Sequence, residues 1–134
     1  MGAHKDYRGG LIARFGKREV LSKDELYDRF WSDRHLDRAE VIGLFDLIEE
    51  AYDIPAGILR PTDAIEMLTG PVPEKHWWRG PIHDVIAGDR QFWVQEELGH
   101  KLRQYGTYDL IQRVNTIDEL VLAWCGWWPT TVAA

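Results

Sequence analysis

Ahead of three apolar helical patterns in this chain, a residue able to cap a helix stands three positions before a glutamate: Ser22 and Glu25, Asp37 and Glu40, Thr116 and Glu119. At that spacing the first side chain accepts a hydrogen bond from the third helical N–H, while the glutamate reaches back to the N–H of the cap. Each pair satisfies donors that a helix start otherwise leaves open. Helix starts are thus predicted at three separated points, which constrains the chain toward a helical fold.

The residues after each cap agree. Behind Asp37, the side chains Val41, Leu44, Phe45, Ile48 and Tyr52 recur at helical spacing, while Glu40, Asp46, Glu49 and Glu50 point mainly elsewhere. Pro55 and Gly57 are expected to end this helix. Behind Ser22, residues Leu26, Phe30 and Trp31 give one apolar side. Thr62 is placed to cap a short stretch through Leu68, stopped by Gly70, Pro71 and Pro73. Asp89 is expected to cap a helix whose inner stripe is Trp93, Glu97, Leu98, Lys101, Leu102 and Tyr105, ending at Gly106. Thr116 opens a last helix carrying Leu120, Val121, Ala123 and Trp124, closed by Pro129.

No alternating apolar–polar run is long enough to predict a strand, so the expected fold is all-α, a small bundle of four to five helices. Residues 70–88 hold three prolines and three glycines and read as a long loop, with room for one turn at 82–87. Residues 1–20 read as a flexible or partly ordered N-terminal segment, with Leu11, Ile12 and Phe15 as docking points. Residues 21–128 then form a single helical domain and 129–134 a C-terminal tail.

Composition narrows the function classes. A 45% hydrophobic fraction suits a packed core in a chain of 134 residues. The net charge is −6, and Lys and Arg form no cluster, which disfavours a nucleic-acid backbone as ligand and suits a basic protein partner. The single cysteine, Cys125, forms no internal disulfide and implies no oxidising compartment. No apolar run approaches the ~18 residues of a membrane span, and the N-terminus lacks an apolar signal core. A cytoplasmic location away from membranes is the resulting expectation.

Candidate chemistry is sparse. His76, His83 and His100 do not form a tight metal-ligand pair, and hydrogen-bonded or solvent-facing histidines are expected. Glu49–Glu50 and Glu96–Glu97 read as helix surface charges. Cys125 has no neighbouring base in sequence and reads as a buried small hydrophobe. Glycine-rich phosphate cradles are absent. Tryptophan is the abundant residue, with seven in the chain. His76, Trp77, Trp78 and Arg79 in the loop, with Trp127 and Trp128 after the last helix, are the candidate partner-binding residues, because Trp and Arg dominate interface hot spots. Two readings of Trp77 and Trp78 stand open: an exposed recognition patch, or a cover over the end of the bundle.

Three segments carry a family resemblance: EEAYDIPAGILRPTDAIEML (49–68), EELGHKL (96–102) and NTIDELVLAW (115–124). In that order, over roughly residues 38–126, the chain resembles an acyl carrier protein with extensions. The resemblance implies a small helical bundle and docking to protein partners. It departs where the carrier's chemistry resides. The family attaches phosphopantetheine to a serine opening its second helix, yet no serine lies between Gly70 and Gly106. The matching stretch reads Asp89-Arg90-Gln91-Phe92-Trp93, and an alternative register at Asp37-Arg38-Ala39 also puts arginine in the serine's place. No phosphopantetheine or other cofactor is therefore expected.

The expectation is a non-catalytic, carrier-like helical domain that binds an unidentified protein partner. The alternative is a small acidic immunity or inhibitor protein that masks a basic toxin surface. An enzyme using His76, His83 and Glu97 ranks last.

Overall fold

The computed structural model describes residues 2–74 and 77–126, with Trp77 and Leu110 as backbone only. The described residues form six α-helices and no strand: α1 (Gly2–Ala13), α2 (Lys23–Phe30), α3 (Arg38–Tyr52), α4 (Glu66–Thr69), α5 (Ile82–Tyr105) and α6 (Ile117–Trp124). Short 3-10 turns at Ala56–Ile58, Trp77–Arg79 and Tyr108–Arg113 link them. The all-α bundle is as the caps predict, with one helix more because residue 2 onward is helical.

Two of the three caps close as full capping boxes. Ser22 accepts from the Glu25 N–H while Glu25 accepts from the Ser22 N–H, and Thr116 and Glu119 repeat the arrangement. The third is one-sided. Asp37 accepts from the Ala39 N–H, but Glu40 turns away to pair with Lys101 of α5.

Helix α3 is the central element, burying Val41, Leu44, Phe45, Ile48, Ala51 and Tyr52. It ends at Asp53, which adopts a left-handed conformation (φ 56°) two residues before Pro55. Trp31 is fully buried against Phe45, with ring centroids 5.5 Å apart, and its indole N–H donates to Asp118 at 2.9 Å. Arg34 grips the same carboxylate at 3.0 Å, so the end of α2 is tied to the start of α6.

The connection before α4 is held by a buried acid rather than by Thr62, and α4 has no side-chain cap. Asp63, 6% exposed, accepts from both Arg18 guanidinium nitrogens (2.6 and 2.7 Å) and from the Arg60 N–H (2.8 Å). Its carbonyl accepts from the Ile117 N–H, and the Ile65 N–H donates to Asn115, stitching this connection to α6. Gly57 lies against the backbone of Leu21, whose N–H donates to its carbonyl at 3.2 Å.

Two segments differ from the sequence expectation. Residues 2–13 form a regular helix docked on α5. Tyr7, Leu11 and Phe15 recur every fourth residue, and all are buried to within 3%. Gly10 lets this helix approach residue 72, since a Cβ there would stand 2.6 Å from Val72 Cγ1. Its first turn carries no acidic residue, and burial rather than local chemistry supplies its stability.

Helix α5 begins at Ile82 rather than Asp89, so the loop shortens. Gly88 sits inside it with nothing within 4 Å, at an expected cost of ~1 kcal/mol. Burying His83, Ile86 and Ala87 in the preceding turns offsets that cost. Its buried stripe continues through Val94, Leu98 and Leu102, whereas Trp93 and Tyr105, expected inside, are each 40% exposed. The helix stops at Gly106 (φ 73°), as expected. α6 ends at Trp124, ahead of Pro129, which lies outside the described residues.

Candidate functional site

The outer face of α5 is the most distinctive surface of the bundle. One helix turn carries about 100° per residue, so Val85, Asp89, Phe92, Glu96 and Arg103 share the side opposite the buried stripe. Val85 is 53% exposed, Phe92 64% and Trp93, on the adjoining flank, 40%. Large apolar side chains left out on one helix face mark an interaction surface more often than scattered singles do. Acids surround them. Asp84, Asp89 and Glu97 have no cationic partner among the described residues, and Glu96 meets only His100, at 3.9 Å. Of the basic residues of the same helix, Arg90 donates to the Ala51 carbonyl and Lys101 to Glu40, while Arg103 shares the outer face.

Beyond Phe92 the face opens into a groove of about 190 Å³ against the Tyr108–Arg113 turn, lined by Gln95, Glu96, Gly99, Arg103, Tyr108 and Ile111 as well. Arg103 lies over the Tyr108 ring at 4.2 Å. Gly99 keeps the groove open, because a Cβ there would reach 3.3 Å from Tyr108. A second, apolar cavity between α3, α5 and α6, bordered by Ile48, Val94, Leu98 and Leu120, measures only about 80 Å³.

His76, Trp127 and Trp128 lie outside the described residues, and Trp77 is described as backbone within its 3-10 turn. Trp78 is 66% exposed. Arg79 turns inward and pairs with Asp6 of α1 at 2.7 Å and with Glu74 at 3.6 Å, which makes it a clip between loop and bundle.

The remaining chemistry is structural. His83 is 3% exposed; its Nδ1 faces the carbonyls of Val72 (2.9 Å) and Pro73 (3.1 Å), and its Nε2 faces Glu74 at 3.3 Å. Nδ1 is thus engaged by backbone carbonyls, while Nε2 is buried and has no hydrogen-bond partner among the described residues. Among the described residues, no group of His, Cys, Asp and Glu is arranged to hold a metal ion. Glu49 accepts from the Ala56 N–H and pairs with Lys23. Burial, with Glu40 nearby, pushes the Cys125 thiol up to about 12, so it is a poor nucleophile. No described helix is long and apolar enough to cross a membrane.

Phe92, Trp93 and Val85 were absent from the candidates read off the sequence. Their signal was faint: Val85 and Phe92 stand seven apart, two turns along one face, which marks a helix apolar on two sides only once the buried side is known. Compared with models of known families, with curated proteins and with solved structures, the chain matches none.

Proposed function

We propose that this chain is a cytoplasmic, non-catalytic helical module that docks a protein partner on the outer face of α5. The observation that carries this reading is the exposed series Val85, Phe92 and Trp93, set among Asp84, Asp89 and Glu97, which have no cationic partner among the described residues. Aromatic anchors supply binding energy at the centre of an interface, and uncompensated acids select a partner with Lys or Arg around its own apolar anchor. Trp78 extends the exposed aromatic surface.

The carrier-like resemblance supports a docking role without the carrier's chemistry. The Ser22 hydroxyl is taken up in a helix cap and the Ser32 hydroxyl donates to the Asp28 carbonyl at 2.7 Å. Incubation with coenzyme A and a phosphopantetheinyl transferase is expected to leave the mass unchanged; a gain of one pantetheine arm overturns the non-carrier part of the reading. The docking part is tested with the paired variant Phe92→Ala, Trp93→Ala. It should fold with unchanged helicity and lose a basic polypeptide that the wild type captures from its source cells. Equal capture by both refutes docking through α5.

The same acids favour a second reading, an acidic inhibitor that covers a basic toxin surface. It is distinguished by growth rescue when the captured partner is itself toxic on expression.

A further inference from the structure

The outer face of α5 has a register as well as a chemistry. Val85, Phe92 and Gly99 stand seven residues apart, and Gly99 lies at the floor of the groove against the Tyr108–Arg113 turn. Seven residues of helix rise about 10.5 Å, so an exposed valine, an exposed phenylalanine and a groove follow one another along one line at equal steps. Asp89 and Glu96 come four residues after the first two, close to one full turn, and share the line. Along α5 it therefore runs apolar, acidic, apolar, acidic, groove.

Among the described residues, Asp89 has no cationic partner and Glu96 meets only His100, at 3.9 Å. Arg103 does not stand between the apolar positions. It follows Gly99 by four residues and lies over the Tyr108 ring at 4.2 Å, at the far end of the groove.

The step length selects the backbone that fits. In a strand, side chains on one face repeat at about 6.7 Å, and residues three apart point to opposite faces. A polyproline helix repeats at about 9.3 Å and falls behind by about 2 Å over the three positions. A second α-helix laid along α5 has the same rise, so its residues i, i+7 and i+14 reach all three in step. Charge then selects the partner. A second copy of this chain would bring further acids to a face that is already acidic, with −6 on each chain, and like charges facing across an interface are rejected.

We infer that the occupant of the α5 face is a basic amphipathic α-helix of a partner protein. Its apolar residues, one in every seven, seat against Val85, against Phe92 and in the groove at Gly99, and Lys or Arg between them meet Asp89 and Glu96. This rests on α5 being the docking face and adds the partner's backbone form, register and order of charge.

The test uses the full chain and three fluorescently labelled synthetic peptides of about 18 residues, two heptads and a flank. The first places Leu at every seventh position with Lys midway between, on an alanine-rich background. The second has Glu for Lys. The third has the composition of the first in alternating, strand-like order. By fluorescence anisotropy the Lys helix is expected to bind saturably, gaining helical circular dichroism, and the other two to bind about tenfold more weakly. In the variant Asp89→Lys, Glu96→Lys the preference should reverse toward the Glu helix. Phe92→Ala, Trp93→Ala should lose the Lys helix. Equal binding of helical and strand-ordered peptides, lost in Phe92→Ala, Trp93→Ala, overturns the helix while docking on α5 stands. Binding that this variant leaves undiminished overturns both. No saturable binding of the Lys helix, or a preference that does not reverse, overturns the inference, as does a dimer of the chain in sedimentation that Phe92→Ala, Trp93→Ala dissolves. The three peptides on the wild type decide the backbone form without any variant.

Discussion

One substitution, glycine to alanine, should act in opposite directions at two positions. At Gly57 an added Cβ would stand 1.6 Å from the Leu21 carbonyl oxygen and 2.5 Å from its carbonyl carbon, both backbone atoms. No rotamer change relieves that contact; the Leu21 segment, which leads directly into the Ser22 cap, must move. Overpacking of this kind costs ~1–3 kcal/mol. Loss of the Leu21 N–H bond to the Gly57 carbonyl adds ~1 kcal/mol. The expected destabilisation of Gly57→Ala is thus about 2–4 kcal/mol, a large share of the ~5–15 kcal/mol typical of a domain. At Gly43, exposed within α3, a Cβ meets nothing within 4 Å. There the helix preference of alanine and the smaller entropy of its unfolded chain should stabilise by ~0.5–1 kcal/mol. Urea unfolding followed by helical circular dichroism measures both, with m-values confirming a two-state comparison. A Gly57→Ala midpoint within error of the wild type, or a Gly43→Ala midpoint below it, would refute the close packing of Leu21 on Gly57 or the exposure of Gly43.

Two further outcomes are expected. Asp63→Asn keeps the shape of its site but leaves the Arg18 guanidinium, itself partly exposed, without its carboxylate, and should cost ~2 kcal/mol in the same unfolding assay; a change below ~0.5 kcal/mol, the size of an ordinary surface substitution, would mean that the pair does not hold the loop before α4. The raised Cys125 pKa, from 9.0 to about 12, predicts roughly a thousandfold less thiolate than a free cysteine below pH 9, hence slow reaction with a disulfide reagent at pH 8 until urea unfolds the chain. Because the folded form holds its proton more tightly, this thiol's contribution to stability is complete below pH 9 and lost between pH 9 and about 12, so the urea midpoint of the wild type should fall further than that of Cys125→Ala over the range.

What was legible in the sequence is what short-range chemistry encodes. Ser22 with Glu25 and Thr116 with Glu119 form their caps from atoms three residues apart, and the apolar spacing from Val41 to Tyr52 needs only the helical repeat. Gly106 stops α5 because it adopts the left-handed conformation that helix ends favour. Glu40 shows the limit. Its spacing from Asp37 promises a reciprocal cap, but Lys101, 61 residues away, claims the carboxylate. For α1 and the first turns of α5 the local signals argued the other way, with Gly9 and Gly10 in one and Gly88 after Pro81 in the other.

Local sequence sufficed to show that the chain is helical, where several helices begin and end, and that no serine lies between Gly70 and Gly106. Tertiary structure alone decided that residues 2–13 are a core helix, that Trp93 faces out while His83 faces in, and that Arg79 serves as an internal clip. The physical reason is that a helix start depends on neighbours within one turn, whereas burial and charge pairing depend on what the rest of the chain brings alongside. Tyr7 is core only because α5 lies beside it, and Phe92 is surface because the neighbouring Tyr108–Arg113 turn leaves it 64% exposed.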